Sequence, residues 1–90
     1  MENQTVFVDA AVWPYRGMVM CHMLSECTDT LQKMADAIGV DRKHFQNHRY
    51  PHYDICKAKR AAAIKLGAVE IGRNEFVALA TKLATKKENG

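Results

Sequence analysis

The sequence predicts a small α/β domain, with a sheet of a few strands and about three helices in one layered unit. Runs rich in β-forming residues alternate with stretches of helical periodicity. The length of 90 residues leaves room for one domain, and 48% hydrophobic with 26% charged residues is ordinary globular composition. Strands separated by helices favour parallel pairing wherever a helix makes the crossover. We expect one domain over residues 1–90, ordered from about residue 5 to residue 86, with a frayed tail at 87–90.

The N-terminal third predicts a buried strand, a turn and a second strand. The run from Thr5 to Val8 is rich in β-forming residues and is followed by Asp9, an acidic side chain at the carboxyl end of a strand. Residues 13–17 combine two aromatic residues with proline, arginine and glycine, a composition typical of a structured turn. The period of the apolar run 18–24 does not separate a strand from a short helix, and we favour a strand.

Helical periodicity is clearest after Thr28, which we predict as the cap of the first helix. Four apolar residues recur at helical spacing before Gly39, which is suited to end a helix: Leu31, Met34, Ala35 and Ile38. Residues 41–45 are expected to add one more turn. The polar, proline-broken segment 46–51 is predicted to be a loop that lines a site.

The C-terminal half predicts two more helices around a short strand at residues 69–71. Residues 52–55 lead into an alanine-rich helix from Lys57 to Leu66, for which Asp54 is a candidate cap. The final helix is expected to have one apolar face, formed by Phe76, Val77, Ala80, Leu83 and Ala84. Three helices on so small a sheet leave apolar surface to cover, which is consistent with a homodimer.

Charge and cysteine usage narrow the classes of protein to consider. The formal net charge of +3 permits phosphate-bearing partners without requiring them. No leader-like segment and no apolar run near the roughly 20 residues of a membrane span occurs, so no membrane association is expected. Three cysteines at unpatterned spacing predict reduced thiols and a cytoplasmic location.

The spacing of histidines and cysteines does not favour a metal site. His48 and His52 are four residues apart, but Pro51 prevents a regular helix between them, and no Cys-x-x-Cys pair occurs. A hard cation held by Asp9 and Asp54 is a weaker alternative. We therefore predict neither a metal ion nor a cofactor.

The most unusual charge pattern lies at the start of the second main helix. Lys57, Lys59 and Arg60 occupy the positive end of the helix dipole, where acidic residues are usual. A bound phosphate or carboxylate would offset this cost, because free backbone donors already favour an anion there. The alternative is that these side chains are solvated and that Asp54 neutralises part of their charge.

His52 and Asp54 form a candidate acid–base pair. Residues two apart share a face in an extended segment, so Asp54 could orient His52 and raise its pKa. Together with Asp9, these residues are the catalytic candidates if the protein is an enzyme. The alternative is that Asp54 caps a helix while His52 packs on the surface. Four aromatic residues predicted in or beside loops could stack on a base or sugar at the rim of a site: Trp13, Tyr15, Tyr50 and Tyr53. For Trp13 we favour the alternative that it packs into the core at the edge of the sheet.

A set of short motifs runs along nearly the whole chain, from about Val6 to Phe76: Val8-Asp9, Trp13-Pro14, Arg16-Gly17, His22, Leu31 to Gly39, Phe45-Gln46, His52-Tyr53-Asp54, Lys59-Arg60 and Gly67-Ala68. This set resembles a short bacterial and phage family called domain of unknown function 4031. The resemblance implies a stand-alone domain without an established activity. The matching polar residues are Asp9, Arg16, His22, Gln46, His52, Asp54 and Arg60. Cys56 and His44 depart from the pattern, which usually has a hydroxyl residue and an aromatic residue there.

The leading hypothesis is a binding module for an anionic, phosphate-bearing ligand, most simply a nucleotide. The candidate ligand-binding residues are Asp9, Trp13, Arg16, His22, Gln46, His52, Tyr53, Asp54, Lys57 and Arg60. If the source is a phage, the resemblance suggests sequestration of a host nucleotide. One alternative is a phosphodiesterase or nuclease that uses His52 with Asp54 or Asp9. Another is a nucleic-acid or protein-interaction domain.

Overall fold

A computed structural model of the chain describes residues 5–89, and the side chains of residues 5–85. Its strands are β1 (Val6–Val8), β2 (Trp13–Tyr15), β3 (Met18–Ser25), β4 (Tyr53–Cys56) and β5 (Val69–Glu70). Its helices are α1 (Thr28–Ile38), α2 (Lys57–Lys65) and α3 (Arg73–Asn89), with one 3₁₀ turn at Arg42–His44. The five strands form one mixed sheet, so the predicted α/β class with a small sheet and three helices is confirmed.

The longest strand, β3, is the centre of the sheet. β1 and β2 pair antiparallel with its two ends on one side, and β4 pairs antiparallel with its middle on the other side. β5 pairs parallel with β1. Because β4 and β1 both oppose β3, β4 and β5 run in the same direction, and α2 connects them as a crossover. The expected parallel pairing across a helix is wrong: β3 and β4, which α1 connects, pair antiparallel, and β4 and β5, although they run in the same direction, are separated by β3 and β1.

The hydrophobic core lies on one face of the sheet. Cys21 and Met23 of β3 and the alternating Tyr53 and Ile55 of β4 are buried there. Side chains of α1 and α2, including Leu31 and Ala63, join the same core cluster. Since side chains alternate along a strand, His22 and Asp54 point to the other face, where α3 crosses with Phe76 stacked on the His22 ring. The sheet therefore separates an apolar core from a polar face.

The segment predicted as a turn at 13–17 is mostly strand, which corrects that prediction. β2 pairs with the start of β3, and the turn is confined to Arg16 and Gly17, whose φ angles are 49° and 78°. Two consecutive positive φ angles are typical of a tight hairpin whose twist matches the flanking strands. Pro14 is tolerated because β2 pairs with a neighbour on one side only. The strand favoured for residues 18–24 is confirmed.

Both predicted helix caps are wrong, for the same reason. Thr28 is the first residue of α1, and the N-cap is Cys27, whose side chain makes no capping hydrogen bond to the first turn of the helix. Asp54 lies within β4, which continues directly into α2 with Cys56 as the N-cap. In each case the chain enters the helix straight from strand pairing, so tertiary contacts set the start of the helix. The end of α1 at Gly39 is confirmed, with φ of 80°.

The final helix carries part of the predicted apolar face. Leu83 is buried, Phe76 is half-buried and Val77 is largely exposed. An ion pair of 2.6 Å between Lys82 Nζ and Glu26 Oε1 ties the middle of α3 to the end of β3. Among the described residues, no helix combines the length and the apolar character needed to cross a membrane. Fraying of residues 87–90 stays a prediction, and Gly90 lies outside the described residues.

Candidate functional site

Four polar residues meet on the face of the sheet opposite the core. His22 of β3 and Asp54 of β4 are directly opposite each other across the two strands. Asp9 follows β1, and His52, two residues before Asp54, shares its side of β4. We call Asp9, His22, His52 and Asp54 the histidine–aspartate cluster. Three separate segments supply it, as the sequence hypothesis of a composite site requires.

Asp9 holds His22 by two hydrogen bonds. The backbone N–H of His22 donates to Asp9 Oδ1 at 2.7 Å, and His22 Nδ1 lies 2.8 Å from Asp9 Oδ2. The His22 ring also contacts two aromatic rings, Trp13 in a tilted arrangement and Phe76 in a stacked one, each at a centroid distance of 4.5 Å. The ring is therefore fixed in orientation, and its Nε2 atom is directed toward Asp54, 4.0 Å from Oδ1.

Asp54 is the junction between the two histidines. Gln46 Nε2 donates to Asp54 Oδ2 at 2.7 Å. The other oxygen, Oδ1, is buried and has no hydrogen-bond partner among the residues that the structure describes, although His52 Nε2 lies 3.5 Å from it. The contact with His52 lowers the pKa of Asp54; burial acts in the opposite direction, and the Gln46 hydrogen bond adds to the lowering. Asp54 is therefore a carboxylate at neutral pH.

His52 is enclosed more completely than His22. It is only 7% exposed, its ring stacks on Tyr50 at 4.4 Å, and its Nδ1 atom lies 2.9 Å from the Tyr50 carbonyl oxygen. Burial disfavours the imidazolium form, but the Asp54 carboxylate and the Tyr50 carbonyl outweigh it and raise the pKa of His52. The sequence-based expectation that Asp54 orients His52 and raises its pKa agrees with this geometry.

A cavity of about 660 Å³ opens beside the cluster and is lined by Asp54 of the cluster and by Gln46, which donates to Asp54. The β2–β3 hairpin lines it with Trp13, Tyr15, Met18 and Met20. Its polar and charged lining includes Asp41, Lys43, His44 and Lys59. Aromatic and apolar surface on the hairpin thus meets amines and amides from the rest of the lining, a combination common in small-molecule sites.

The basic residues at the start of α2 are used mainly to hold the fold together. Arg60 Nε donates to the Asp9 carbonyl oxygen at 2.7 Å, and Nη2 lies 2.9 Å from Glu70 Oε1. Lys59 Nζ donates to the Ile38 carbonyl oxygen at 2.8 Å, which satisfies an acceptor at the end of α1. Lys57 is exposed. Tertiary hydrogen bonds therefore account for two of the three cations at the wrong end of the helix dipole.

Six of the ten candidate ligand-binding residues come together in or beside the cluster: Asp9, Trp13, His22, Gln46, His52 and Asp54. Four do not join it through their side chains. Arg16 lies in the hairpin turn with its guanidinium 5.3 Å from the centre of the Tyr15 ring, and Lys57 is exposed. The side chain of Arg60 bonds the backbone carbonyl oxygen of Asp9 and not its carboxylate. Tyr53, expected at a site rim, is fully buried in the core, where its hydroxyl donates to Gln32 Oε1.

Sequence reasoning missed Phe76 and Lys43 as contributors and gave Tyr50 a different role. Phe76 was assigned only to a packing face, yet it covers the cluster by stacking on His22. Tyr50, expected as a ring at a site rim, stacks on His52, and its carbonyl oxygen accepts a hydrogen bond from His52 Nδ1. Lys43 lines the cavity from the 3₁₀ turn. The sequence shows that residues 50 and 76 are aromatic, but it does not show which side of the sheet each ring would reach.

Two further expectations concern metals and thiols. Within the part of the chain that the structure describes, no group of three or more His, Cys, Asp or Glu is placed to hold a metal ion. Cys21 is buried on the core side, where desolvation raises its pKa to about 12, so it is a thiol that packs as a small hydrophobic residue.

Comparison with known proteins gives a family and nothing further. Neither the curated proteins nor the solved structures include a match to this chain. A family model described as "Protein of unknown function (DUF4031)" matches residues 6–83, which is most of the sequence and every residue of the cluster. The chain belongs to this family of proteins of unknown function.

Proposed function

We propose that this protein binds a small phosphate-bearing molecule, most simply a nucleotide, in the cavity beside the histidine–aspartate cluster. The observation that carries the proposal is the lining of that cavity, which combines the rings of Trp13 and Tyr15 with the amines of Lys43 and Lys59. Its volume of about 660 Å³ lies within the range of small-molecule sites. Aromatic rings suit a base, and amines suit phosphate oxygens.

The proposed contacts differ from those that the sequence suggested. Arg60 is already bonded to Asp9 and Glu70, and neither Arg16 nor Lys57 lines the cavity. Lys43 and Lys59 take over the cationic role. An ammonium group has three donors, so Lys59 can keep its bond to the Ile38 carbonyl oxygen and still contact a phosphate. Gln46 and Asp54 offer a polar edge for the base or sugar.

A thermal-shift screen against a panel of nucleotides, including 3′,5′-cyclic AMP, tests this proposal. Ligand at about ten times its Kd adds roughly 1.4 kcal/mol of stability, which raises the Tm of a domain this small by roughly 6–11 °C. We expect Tyr15→Ala to weaken binding about fivefold or more, because stacking on one ring contributes about 1–3 kcal/mol per base.

The charge contribution is tested with a matched pair of lysine variants. We expect Lys43→Gln to weaken nucleotide binding, whereas Lys33→Gln, an exposed lysine of α1 outside the cavity lining, leaves it unchanged. A Tm that no nucleotide in the panel changes would remove the proposal. Equal affinities for wild type, Tyr15→Ala and Lys43→Gln would show that a ligand binds elsewhere.

An enzyme of the phosphodiesterase or nuclease type is the second candidate, and the Asp9–His22 pair favours it. A carboxylate on Nδ1 fixes the tautomer of an imidazole and leaves Nε2 as the basic atom. His52 is less suited to the role proposed from sequence, since it is only 7% exposed and its Nε2 lies 3.5 Å from Asp54 Oδ1, whereas His22 is half-buried and its Nε2 lies 4.0 Å from that oxygen. Turnover of a nucleotide or nucleic-acid panel that His22→Gln abolishes would support the enzyme.

Three other expectations remain proposals with simple tests. A nucleic-acid interface predicts affinity that falls steeply with salt concentration. A homodimer predicts twice the mass of the chain in light scattering. Sequestration of a host nucleotide by a phage protein predicts tight binding without turnover, and it depends on a phage source.

A further inference from the structure

The histidine–aspartate cluster contains one oxygen that the described residues leave unsatisfied. Asp54 Oδ1 is buried and accepts no hydrogen bond. Two imidazole nitrogens approach it, His52 Nε2 at 3.5 Å and His22 Nε2 at 4.0 Å. Burying an acceptor without a donor is unfavourable, and more so for a charged group. The arrangement therefore favours a positive charge next to this oxygen.

In each neutral imidazole ring, the hydrogen bond at Nδ1 shows that the ring hydrogen is on Nδ1 and that Nε2 carries none. The Tyr50 carbonyl oxygen can only accept, so His52 Nδ1 carries a hydrogen, and Nε2 of the neutral ring presents a lone pair to Asp54. The Asp9 carboxylate imposes the same tautomer on His22. Two lone pairs then face one carboxylate oxygen. A proton on His52 Nε2 converts repulsion with Asp54 into attraction.

We propose that His52 Nε2 takes up a proton that neutralises Asp54, and that this proton controls how tightly the neighbouring cavity holds an anionic ligand. The second part rests on the proposed function. Asp54 lines the cavity, so its charge is felt there. When His52 is protonated the pair is neutral overall, and an anion meets little repulsion. When His52 loses the proton, the negative charge of Asp54 is uncompensated and opposes the ligand.

Other titratable groups near His52 and Asp54 also affect how readily His52 Nε2 holds this proton. They come from the end of β1, from β3, from the loop before β4 and from α2: Asp9, His22, Cys21, His48, Tyr50 and Arg60. Asp9 adds negative charge that favours the imidazolium, and Arg60, bonded to the Asp9 backbone, opposes it. The side chain that α3 presents to the cluster is the uncharged Phe76. The raised pKa of His52 agrees with a net preference for the proton.

The proton site can be tested without any ligand by NMR titration of the histidine rings and of the Asp54 carboxyl carbon. We expect the His52 midpoint to lie above its ordinary value near 6.5 and to fall by about 1 pH unit or more in Asp54→Asn. In wild type the Asp54 carboxyl carbon should shift with the same midpoint as His52. Equal His52 midpoints in both proteins, or an Asp54 carbon that does not follow His52, would overturn the proposal. The wild-type measurement decides the question if Asp54→Asn does not fold.

The coupling to binding is tested with 3′,5′-cyclic AMP, because its phosphodiester keeps one negative charge throughout the pH range. We expect its Kd to rise about fivefold between pH 6 and pH 8.5, the effect of one unit charge roughly 8 Å away at intermediate dielectric. The Kd values are compared in a His44→Gln background, because His44 lines the cavity. In that background His52→Gln should bind with a pH-independent Kd, and Lys33→Gln, at an exposed position of α1 outside the cavity lining, should keep the dependence on pH. A pH-independent Kd in wild type overturns the coupling. If cyclic AMP binds at no pH, the coupling fails together with ligand binding, while the titration still decides the proton site.

Discussion

Replacing Arg60 with methionine separates a structural role for this side chain from a ligand-binding role. Arg60 Nε donates to the Asp9 carbonyl oxygen at 2.7 Å, and Nη2 lies 2.9 Å from Glu70 Oε1. These contacts join α2 to the end of β1 and to β5, the strand that follows α2. Methionine keeps much of the aliphatic stem but has no donor. The substitution therefore removes both polar contacts with little change in packing.

The two contacts differ in their expected contributions to stability. A hydrogen bond from a charged donor to a buried acceptor is worth about 1.5–3 kcal/mol, and Asp9 is 9% exposed. The ion pair with Glu70, whose side chain is 61% exposed, is worth roughly 0.2–1 kcal/mol. We expect Arg60→Met to lower the free energy of unfolding by about 2–4 kcal/mol. With an m-value near 1 kcal/mol/M, the urea midpoint falls by about 2–4 M.

Urea unfolding, followed by circular dichroism and by Trp13 fluorescence, measures this change. Lys57→Met is the matched control, because Lys57 lies at the same end of α2 and is exposed. The free energy of unfolding of Lys57→Met should stay within about 0.5 kcal/mol of the wild-type value. Glu70→Gln should lose no more than the ion pair. The reasoning is refuted if Arg60→Met unfolds at the same urea concentration as Lys57→Met, since the Asp9 contact would then contribute nothing to the fold.

Three further predictions follow from the fold and the cluster. Gly39→Ala should lower the free energy of unfolding, measured in urea, by about 1–2 kcal/mol, because φ is +80° and a Cβ would lie 3.2 Å from Lys59 Nζ. Gly72→Ala is the control, because its Cβ would meet Glu75 Oε1 at an ordinary 3.6 Å, and it should stay within about 0.5 kcal/mol of wild type. Leu83→Ala, at a buried position of α3, should cost about 2–3 kcal/mol, and the exposed Val77→Ala much less; equal losses would mean that α3 is not anchored by Leu83. The raised pKa of His52 adds stability that is fully present below its unfolded value near 6.5 and is lost as pH rises through the folded pKa, whereas the lowered pKa of Asp54 adds stability that is lost as pH falls through its folded pKa. Urea midpoints of wild type should therefore be highest between the unfolded pKa values of the two groups, near 3.8 for Asp54 and 6.5 for His52, and should decline below and above that interval. Asp54→Asn should flatten both declines.

The local sequence pattern predicted much of the fold, because the spacing of apolar residues and the ends of helices depend on residues that are close in the chain. The apolar spacing before Gly39 located α1, and the left-handed conformation of Gly39 ends that helix. Period two in residues 52–54 predicted that His52 and Asp54 share a side. The caps at Thr28 and Asp54 were wrong because both helices follow directly from paired strands. Pairing with a distant strand competes with local capping, and the residue types alone do not show which will prevail.

The amino-acid sequence by itself determined the class of fold, the order of its elements and the side of β4 that carries His52 and Asp54. Only the tertiary structure decided that Asp9 holds His22, thirteen residues away along the chain, rather than His52. That partnership depends on the register of β1 against β3, which pairs Val8 with Met23 and brings Asp9 next to His22. The tertiary structure also decided that Arg60 forms hydrogen bonds that stabilise the fold and that Phe76 covers the cluster. Long-range register and helix placement result from burying both faces of one sheet together, a collective property that no single segment contains.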